Sequence, residues 1–258
     1  MLACQGCYTV GMHPDVIQQV RAMNQRFYQT YARSFSASRQ RVQAGVGRLL
    51  PRLKDCTRVL DLGCGNANLF PALQGTGFKG EYVGLDGSLE LLSTAESLAP
   101  EVESNQRLRV QADLNAPAWP IPAQEGVFDA VVCFAALHHI PGTAAQAALF
   151  RSAFQALSAG GIFCVSVWQV RSSPRLTARI VPWSTAGIHT DQVDEGDLLL
   201  DWRAAPALPA ELRYVHHFTE GELSALAEAT GFSLCETFYS DGREGNLALY
   251  AVWQKPLA

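Results

Sequence analysis

The feature that most constrains this chain is an alternation running from residue 58 to residue 168. Short, nearly continuous apolar runs take turns with helical patterns, and aspartates punctuate the ends of the runs. Arg58–Leu62 is the first, leading into Asp61-Leu62-Gly63-Cys64-Gly65. Tyr82–Leu85 ends in Asp86, and Leu108–Gln111 is followed by Asp113. Ala130–Phe134 is the fourth, and Ile162–Trp168, entered from a Gly160-Gly161 turn, is the fifth. Leu91, Leu92, Ala95 and Leu98 share one helix face, with Ser88 placed as its cap. Ala147, Phe150, Phe154 and Leu157 share another. Runs without a polar face belong to strands buried on both sides, and helices between them make those strands parallel. The expected fold class is α/β: a mostly parallel sheet with helices on both faces.

The flanks complete the layout. Val16, Val20, Met23, Phe27, Tyr31 and Phe35 lie three or four apart, which predicts an amphipathic helix over residues 14–35 with Pro14 in its first turn. Val42–Leu53 reads as a second short helix. After Trp168 the periodicity breaks. Residues 169–213, with Pro182, Pro206 and Pro209, are too long for an ordinary loop and are expected to form an insertion that serves as a lid. Regular structure is expected again at Thr219-Glu220-Gly221-Glu222, a capping box for a helix carrying Leu223, Leu226 and Ala227 and stopping at Gly231. Ser233–Tyr239 and Leu247–Gln254, joined through Asp241-Gly242, predict a closing strand hairpin. The expected organisation is a leader at 1–13 and one domain at 14–258, with cap helices at 14–54 and the lid at 169–213.

Composition narrows the function classes. Hydrophobic residues make up 48% of the 258 and charged residues 17%, the balance of a globular chain. Lys plus Arg number 20 and Asp plus Glu 24, a net charge of −4, so nucleic acid held by bulk charge is excluded and only a local basic patch remains open. No apolar run is long enough to cross a bilayer, and the start lacks a signal-peptide pattern, so a cytoplasmic location is expected. Seven cysteines give no disulfide framework. Cys64, Cys133, Cys164 and Cys235 sit in or beside apolar runs, where a thiol packs as a small hydrophobe. Cys4-Gln-Gly-Cys7 lacks the further ligands of a zinc site, so no metal is expected.

The glycine loop is the strongest functional signal. Asp61-Leu62-Gly63-Cys64-Gly65-Asn66 follows a strand and opens a helix, where glycines allow close backbone approach and a helix start offers N–H groups. Asp86, ending the next strand, is placed to accept ribose hydroxyls. Nicotinamide dinucleotides and S-adenosylmethionine both suit such a site. Asn68 in place of a third glycine, an acid just ahead of the first glycine, and a closing hairpin instead of a second nucleotide-binding half favour S-adenosylmethionine.

These segments, with Gly84-Leu85-Asp86, Ala112-Asp113, Phe128-Asp129-Ala130-Val131-Val132 and Gly160-Gly161, resemble the ordered motifs of class I S-adenosylmethionine-dependent methyltransferases over residues 55–170. The resemblance implies a Rossmann-like fold with a seven-stranded sheet. It implies a cofactor site in which Asp61, Gly63, Cys64, Gly65 and Asn66 hold the methionine part and Asp86 and Gly87 the ribose. Asp113 and Leu114 would flank the adenine, and Phe134 and Ala135 would lie near the methyl group.

A narrower resemblance covers residues 24–255 with gaps. Arg26-Phe27-Tyr28 through Ser34-Phe35-Ser36-Ala37-Ser38-Arg39, Ala135-Ala136-Leu137-His138-His139, Val167-Trp168, Gly196–Trp202 and Arg213-Tyr214-Val215-His216-His217-Phe218 are similar to segments of the eukaryotic tRNA methyltransferases that esterify 5-carboxymethyluridine at the wobble position. It implies that Arg39, His139, Arg213 and His216 serve an anionic acceptor, with tRNA as partner and a small activator subunit. The chain departs from that pattern at Gln40-Arg41-Val42, at Asp201 before Trp202 and at Asn68. Three expectations therefore stand. A carboxylate on a modified tRNA uridine is the first acceptor, a small molecule methylated on oxygen or nitrogen is the second, and the third is a cofactor-binding module without turnover.

Overall fold

The structure is a computed structural model that describes residues 11–38, 41–98, 107–116, 119, 127–202 and 211–257. In chain order the elements are α1 (Pro14–Ser38), α2 (Ala44–Leu53), β1 (Arg58–Leu62), α3 (Leu69–Gln74), β2 (Glu81–Asp86), α4 (Leu89–Leu98), β3 (Arg107–Gln111) and β4 (Phe128–Phe134). They continue with α5 (Thr143–Ala156), β5 (Leu157–Trp168), α6 (Pro174–Thr177), β6 (Ile180–Val181), β7 (Asp197–Trp202), β8 (Glu211–His216), α7 (Glu220–Thr230), β9 (Ser233–Ser240) and β10 (Ala248–Gln254).

The main sheet has seven strands in the order β3-β2-β1-β4-β5-β10-β9. The first five are mutually parallel, and β10 runs antiparallel to both β5 and β9. Alternate residues of each strand bury on opposite faces, which is why the sequence shows no polar side. Leu60, Val131 and Phe163 face the core that includes Phe150 of α5 and Leu223 of α7. Val59, Val132 and Cys164 face Leu49 of α2 and Phe70 of α3. The Thr219 capping box closes on both arms, and Gly231 ends α7 with φ +96°.

Three expectations change. Leu157 begins β5 instead of ending a helix, and β5 runs through Gly160-Gly161. Cys235, on the edge strand β9, is exposed, whereas Cys64, Cys133 and Cys164 are buried as expected. Residues 169–213 are not patternless. They hold two strands, β6 and β7, which with β8 form an antiparallel sheet in the order β6-β7-β8. Its period was hidden because both faces are apolar: Leu199 and Tyr214 pack on Val16, Val20 and Met23 of α1, while Leu198, Leu200 and Val215 pack on Val170 and Leu176. The Cys4/Cys7 leader lies outside the described residues.

The small sheet and α1 are joined by a buried polar clasp. Asn24 donates to the Tyr214 carbonyl (3.2 Å) and accepts from the Tyr214 N–H (2.8 Å), as a neighbouring strand would, and it also donates to the His139 carbonyl (3.2 Å). Among the described residues no helix is long and apolar enough to cross a membrane.

Candidate active site

The carboxyl ends of β1, β2, β3 and β4 open on a cavity of ≈ 490 Å³, the place where open parallel sheets bind ligands. Asp61, Gly63, Cys64, Gly65, Asn66, Asp86, Gly87, Asp113, Leu114, Phe134, Ala135 and His139 all line it. Eleven of these were expected on the cofactor and one on the acceptor; the fold brings all twelve to one wall. The opposite wall is α1, through Arg21, Asn24, Gln25 and Tyr28.

Local geometry explains the glycine loop. Gly63 has φ +77°, and a Cβ there would lie 2.3 Å from the Ala136 Cβ. Three of the loop N–H groups are already engaged: Gly63 and Cys64 donate to the Leu85 carbonyl and Gly65 to Asp86 Oδ2 at 2.8 Å. The loop thus shapes the cavity, and carboxylates are left to meet a ligand. Asp86 also accepts from the Ser88 N–H (2.8 Å), so each oxygen is positioned and keeps a lone pair for a hydroxyl. Burial raises its pKa against those two backbone bonds. Asp61 is buried and accepts from Tyr82 Oη at 2.5 Å. Burial pushes its carboxyl up to about 7, the Tyr82 bond opposing and the Asp86 charge adding to the rise.

Asp113 is bound by Arg21 of α1 and by Asn115; these bonds outweigh its partial burial and hold it below the usual carboxylate range. Asn115 Oδ1 is buried without a hydrogen-bond partner among the described residues. A buried carboxylate for an ammonium group, a positioned one for ribose and an unpartnered acceptor for an exocyclic amine fit S-adenosylmethionine, with Asp61, Asp86 and Asn115 as its holders.

Of the four residues expected at the acceptor, the three that are described do not converge. His139 is in a short 3₁₀ turn after β4, and its Nδ1 lies 3.0 Å from the Tyr214 carbonyl. A carbonyl only accepts, so Nδ1 carries the proton and Nε2 is the acceptor. Nε2 lies 2.7 Å from Tyr28 Oη, which therefore donates to it. Arg213 is 3% exposed and does not line the cavity; its guanidinium lies over Phe27 and Trp168 at 4.6 Å each and over Trp202 at 5.8 Å. His216 is buried at the end of β8, on the same face as Tyr214 and 2.7 Å from Asp197, which also accepts from Tyr214 Oη. Burial lowers its pKa, but the Asp197 bond and charge, joined by Glu222, turn the shift upward. His216 thus pins the small sheet. Arg39 lies outside the described residues. None of residues 169–202 lines the cavity; the described part of the segment expected as a lid packs against α1, and α1 itself lines the cavity.

Sequence reasoning missed Arg21, Asn24 and Tyr28. A signal was present: residues 21, 24, 25 and 28 form a polar stripe at helical spacing beside the apolar one. A surface helix exposes such a stripe, and only the packing of α1 shows that it faces a cavity.

Fold and site together define a class: the S-adenosylmethionine-dependent methyltransferases. The chain belongs to the methyltransferase-domain family, whose model matches residues 29–237. It is 22% identical over 86% of its length to a tRNA (carboxymethyluridine(34)-5-O)-methyltransferase of Xenopus tropicalis, of which the match covers 39%. It is 32% identical over 42% of its length to a ubiquinone biosynthesis O-methyltransferase of Xanthomonas campestris, again covering 42% of that protein. The matches thus span about two fifths of these curated relatives. Among solved structures, the 1,6-didemethyltoxoflavin-N1-methyltransferase of Burkholderia thailandensis, with substrate and S-adenosylhomocysteine bound, superposes with TM-score 0.64 at 16% identity, over 99% of this chain and 98% of that one. A Clostridium acetobutylicum S-adenosylmethionine-dependent methyltransferase superposes with TM-score 0.62 at 14% identity, over 90% and 98%.

Proposed function

We propose that the protein transfers the methyl group of S-adenosylmethionine to an acceptor oxygen or nitrogen that gives up a proton, on a small molecule. The observation that carries this reading is the Tyr28–His139 pair at the cavity wall, 2.7 Å apart, with the Nδ1 proton held by a carbonyl so that Nε2 is the basic nitrogen that faces Tyr28. A hydroxyl or N–H acceptor needs such a base; a carboxylate, already ionised at neutral pH, does not. When bound, the cofactor supplies an electrophilic methyl on a cationic sulfur. The chain's own part is to orient, to exclude water and to take the proton. The acceptor proton passes to Tyr28 Oη as the Tyr28 proton passes to His139 Nε2, leaving an imidazolium that returns the proton to water. The cation on the cavity lining, Arg21, is already bound to Asp113, which leaves little to clamp an anion among the described residues.

The second reading, esterification of a carboxymethyluridine in tRNA, is favoured by the long match to the Xenopus relative. Arg39 would be its anion-binding residue, and an activator subunit its partner. Incubating the protein with labelled S-adenosylmethionine and separated RNA and small-molecule extracts tests both. Alkali-stable label in the small-molecule fraction is expected. Alkali-labile label in tRNA would replace the first reading by the second, and no label in either fraction would favour a binding module without turnover.

A further inference from the structure

Among the described residues, four arginines surround the α1 side of the site, and three have a carboxylate: Arg21 has Asp113, Arg26 has Glu211 at 3.8 Å, and Arg179 has Asp201 at 3.7 Å. Arg213 is the most buried of them and forms no ion pair among the described residues. It sits in a box of Phe27, Trp168 and Trp202, its Nε without a hydrogen-bond partner. A lone buried cation is costly to keep. Its polar contact is a hydrogen bond to Tyr28, and burial, with a smaller push from Arg179, holds its pKa below the ordinary arginine value.

The direction of the protons in these contacts follows. A guanidinium only donates, so Tyr28 Oη accepts from Arg213. Tyr28 must then send its own proton elsewhere, and His139 Nε2 receives it. The His139 Nδ1 proton is committed to the Tyr214 carbonyl, and Tyr214 adjoins Arg213 on β8. The chain Arg213 → Tyr28 → His139 → Tyr214 carbonyl thus has one orientation and returns to the strand it started from.

We infer that Arg213 is a positioning residue that acts on the reaction through Tyr28, aiming the tyrosine proton at His139 and keeping the pair ready to accept a proton. The inference rests on the base role given to Tyr28 and His139 above. Its physics is simple. An uncompensated positive charge at this place opposes protonation of the pair, and in a poorly solvated site that opposition is strong. Negative charge arising on Tyr28 as it gives its proton to His139 is stabilised by the same cation. On α1, Arg21 is paired with Asp113 and Arg26 with Glu211. His138, whose ring lies 4.2 Å from that of His139, is inside the fold and accepts from the Trp168 N–H.

The test has two readouts. In cofactor-free protein, the His139 imidazole is titrated by NMR; in turnover, kcat/KM is followed against pH. Arg213→Gln, which keeps a donor and drops the charge, should raise both midpoints by about one pH unit, tenfold in the proton-binding constant. Arg213→Lys, which keeps the charge and loses the planar fork, should leave the midpoints near the parent while lowering kcat. A merely structural Arg213 would lower thermal stability in both variants and move neither midpoint, and that result overturns the inference. Should the glutamine variant fail to bind S-adenosylhomocysteine, Arg213→Met, which removes the charge while filling the aromatic box, takes its place: the same rise of about one pH unit is expected, and unmoved midpoints overturn the inference. Tyr28→Phe separates the two readings. Full turnover there removes the base role proposed for the pair, while the imidazole titration still reports whether Arg213 acts on His139.

Discussion

The cavity has two walls made in different ways. The sheet wall is built from nearby segments: Gly63, Gly65 and Asp86 are tied together within the single unit β1–α3–β2, with Gly65 donating to Asp86 at 2.8 Å. The α1 wall is built from contacts between segments far apart in the chain. Asn24 reaches Tyr214 across 190 positions, and Tyr28 reaches His139 across 111. The sheet wall is therefore pre-shaped by its own loops and suits an invariant ligand, the cofactor. The α1 wall depends on a separate small sheet packing correctly, and on the function proposed above it is the wall that meets the acceptor.

If the walls divide the labour in this way, changes to them should separate binding from turnover. The largest effect is expected at the α1 wall. Tyr28→Phe should lower kcat by about 10²–10⁴-fold, the usual scale for losing a proton-transfer group. It should leave S-adenosylhomocysteine affinity nearly unchanged in calorimetry; a collapse of affinity would place Tyr28 on the cofactor side. Next, Asp86→Ala on the sheet wall should weaken S-adenosylhomocysteine binding by about 100-fold, the equivalent of losing one or two hydrogen bonds to a charged group. Unchanged affinity would remove Asp86 from the ribose site.

A smaller effect tests the clasp between the walls. Asn24→Leu leaves the buried Tyr214 N–H without its acceptor, which should cost about 1–3 kcal/mol in denaturant unfolding. Turnover should suffer more than cofactor binding, because His139 and Tyr28 are held through the same clasp. Equal losses in both would mean that the walls are one mechanical unit.

The mildest effect concerns pH. Burial puts the Asp61 carboxyl at about 7, so below that pH the free protein carries a proton there. An ammonium group bound beside it favours the ionised form. Cofactor binding should therefore release a proton below pH 7, and affinity should rise about tenfold per pH unit at most, levelling above 7. Calorimetry at pH 6 in two buffers of different ionisation heat reads the proton directly, and identical heats would exclude the coupling. The stability sign is the reverse of a salt-bridged acid. The folded cofactor-free protein binds the proton more tightly than the unfolded chain, so this contribution favours folding at low pH and is lost as pH rises toward 7.

The legibility of the two walls differed accordingly. The strand Arg58–Leu62, the capping box at Thr219 and the closing hairpin were readable because their signals are local. The small sheet was not, since β7 and β8 bury both faces and carry no alternation, and their proline-rich surroundings resemble a loop. Arg213 and His216 were expected beside His139 because their segment resembled one that serves an acceptor. Strand β8 alternates its side chains, however, and the structure sends Arg213 to the aromatic box, away from the cavity lining, and His216 to Asp197.

What the sequence by itself determined is the parallel sheet, its order of loops and the carboxylates at their ends. Apolar runs, glycines at positive φ and helix caps act within a few residues, where chain connectivity already brings the partners together. What only the tertiary structure decided is which face of α1 turns inward and which histidine meets a tyrosine. Both polar and apolar stripes were present on that helix, and the choice between them came from burying Val16, Val20 and Met23 against a sheet almost 200 residues later. That burial is non-directional in sequence and is settled only when the whole surface packs.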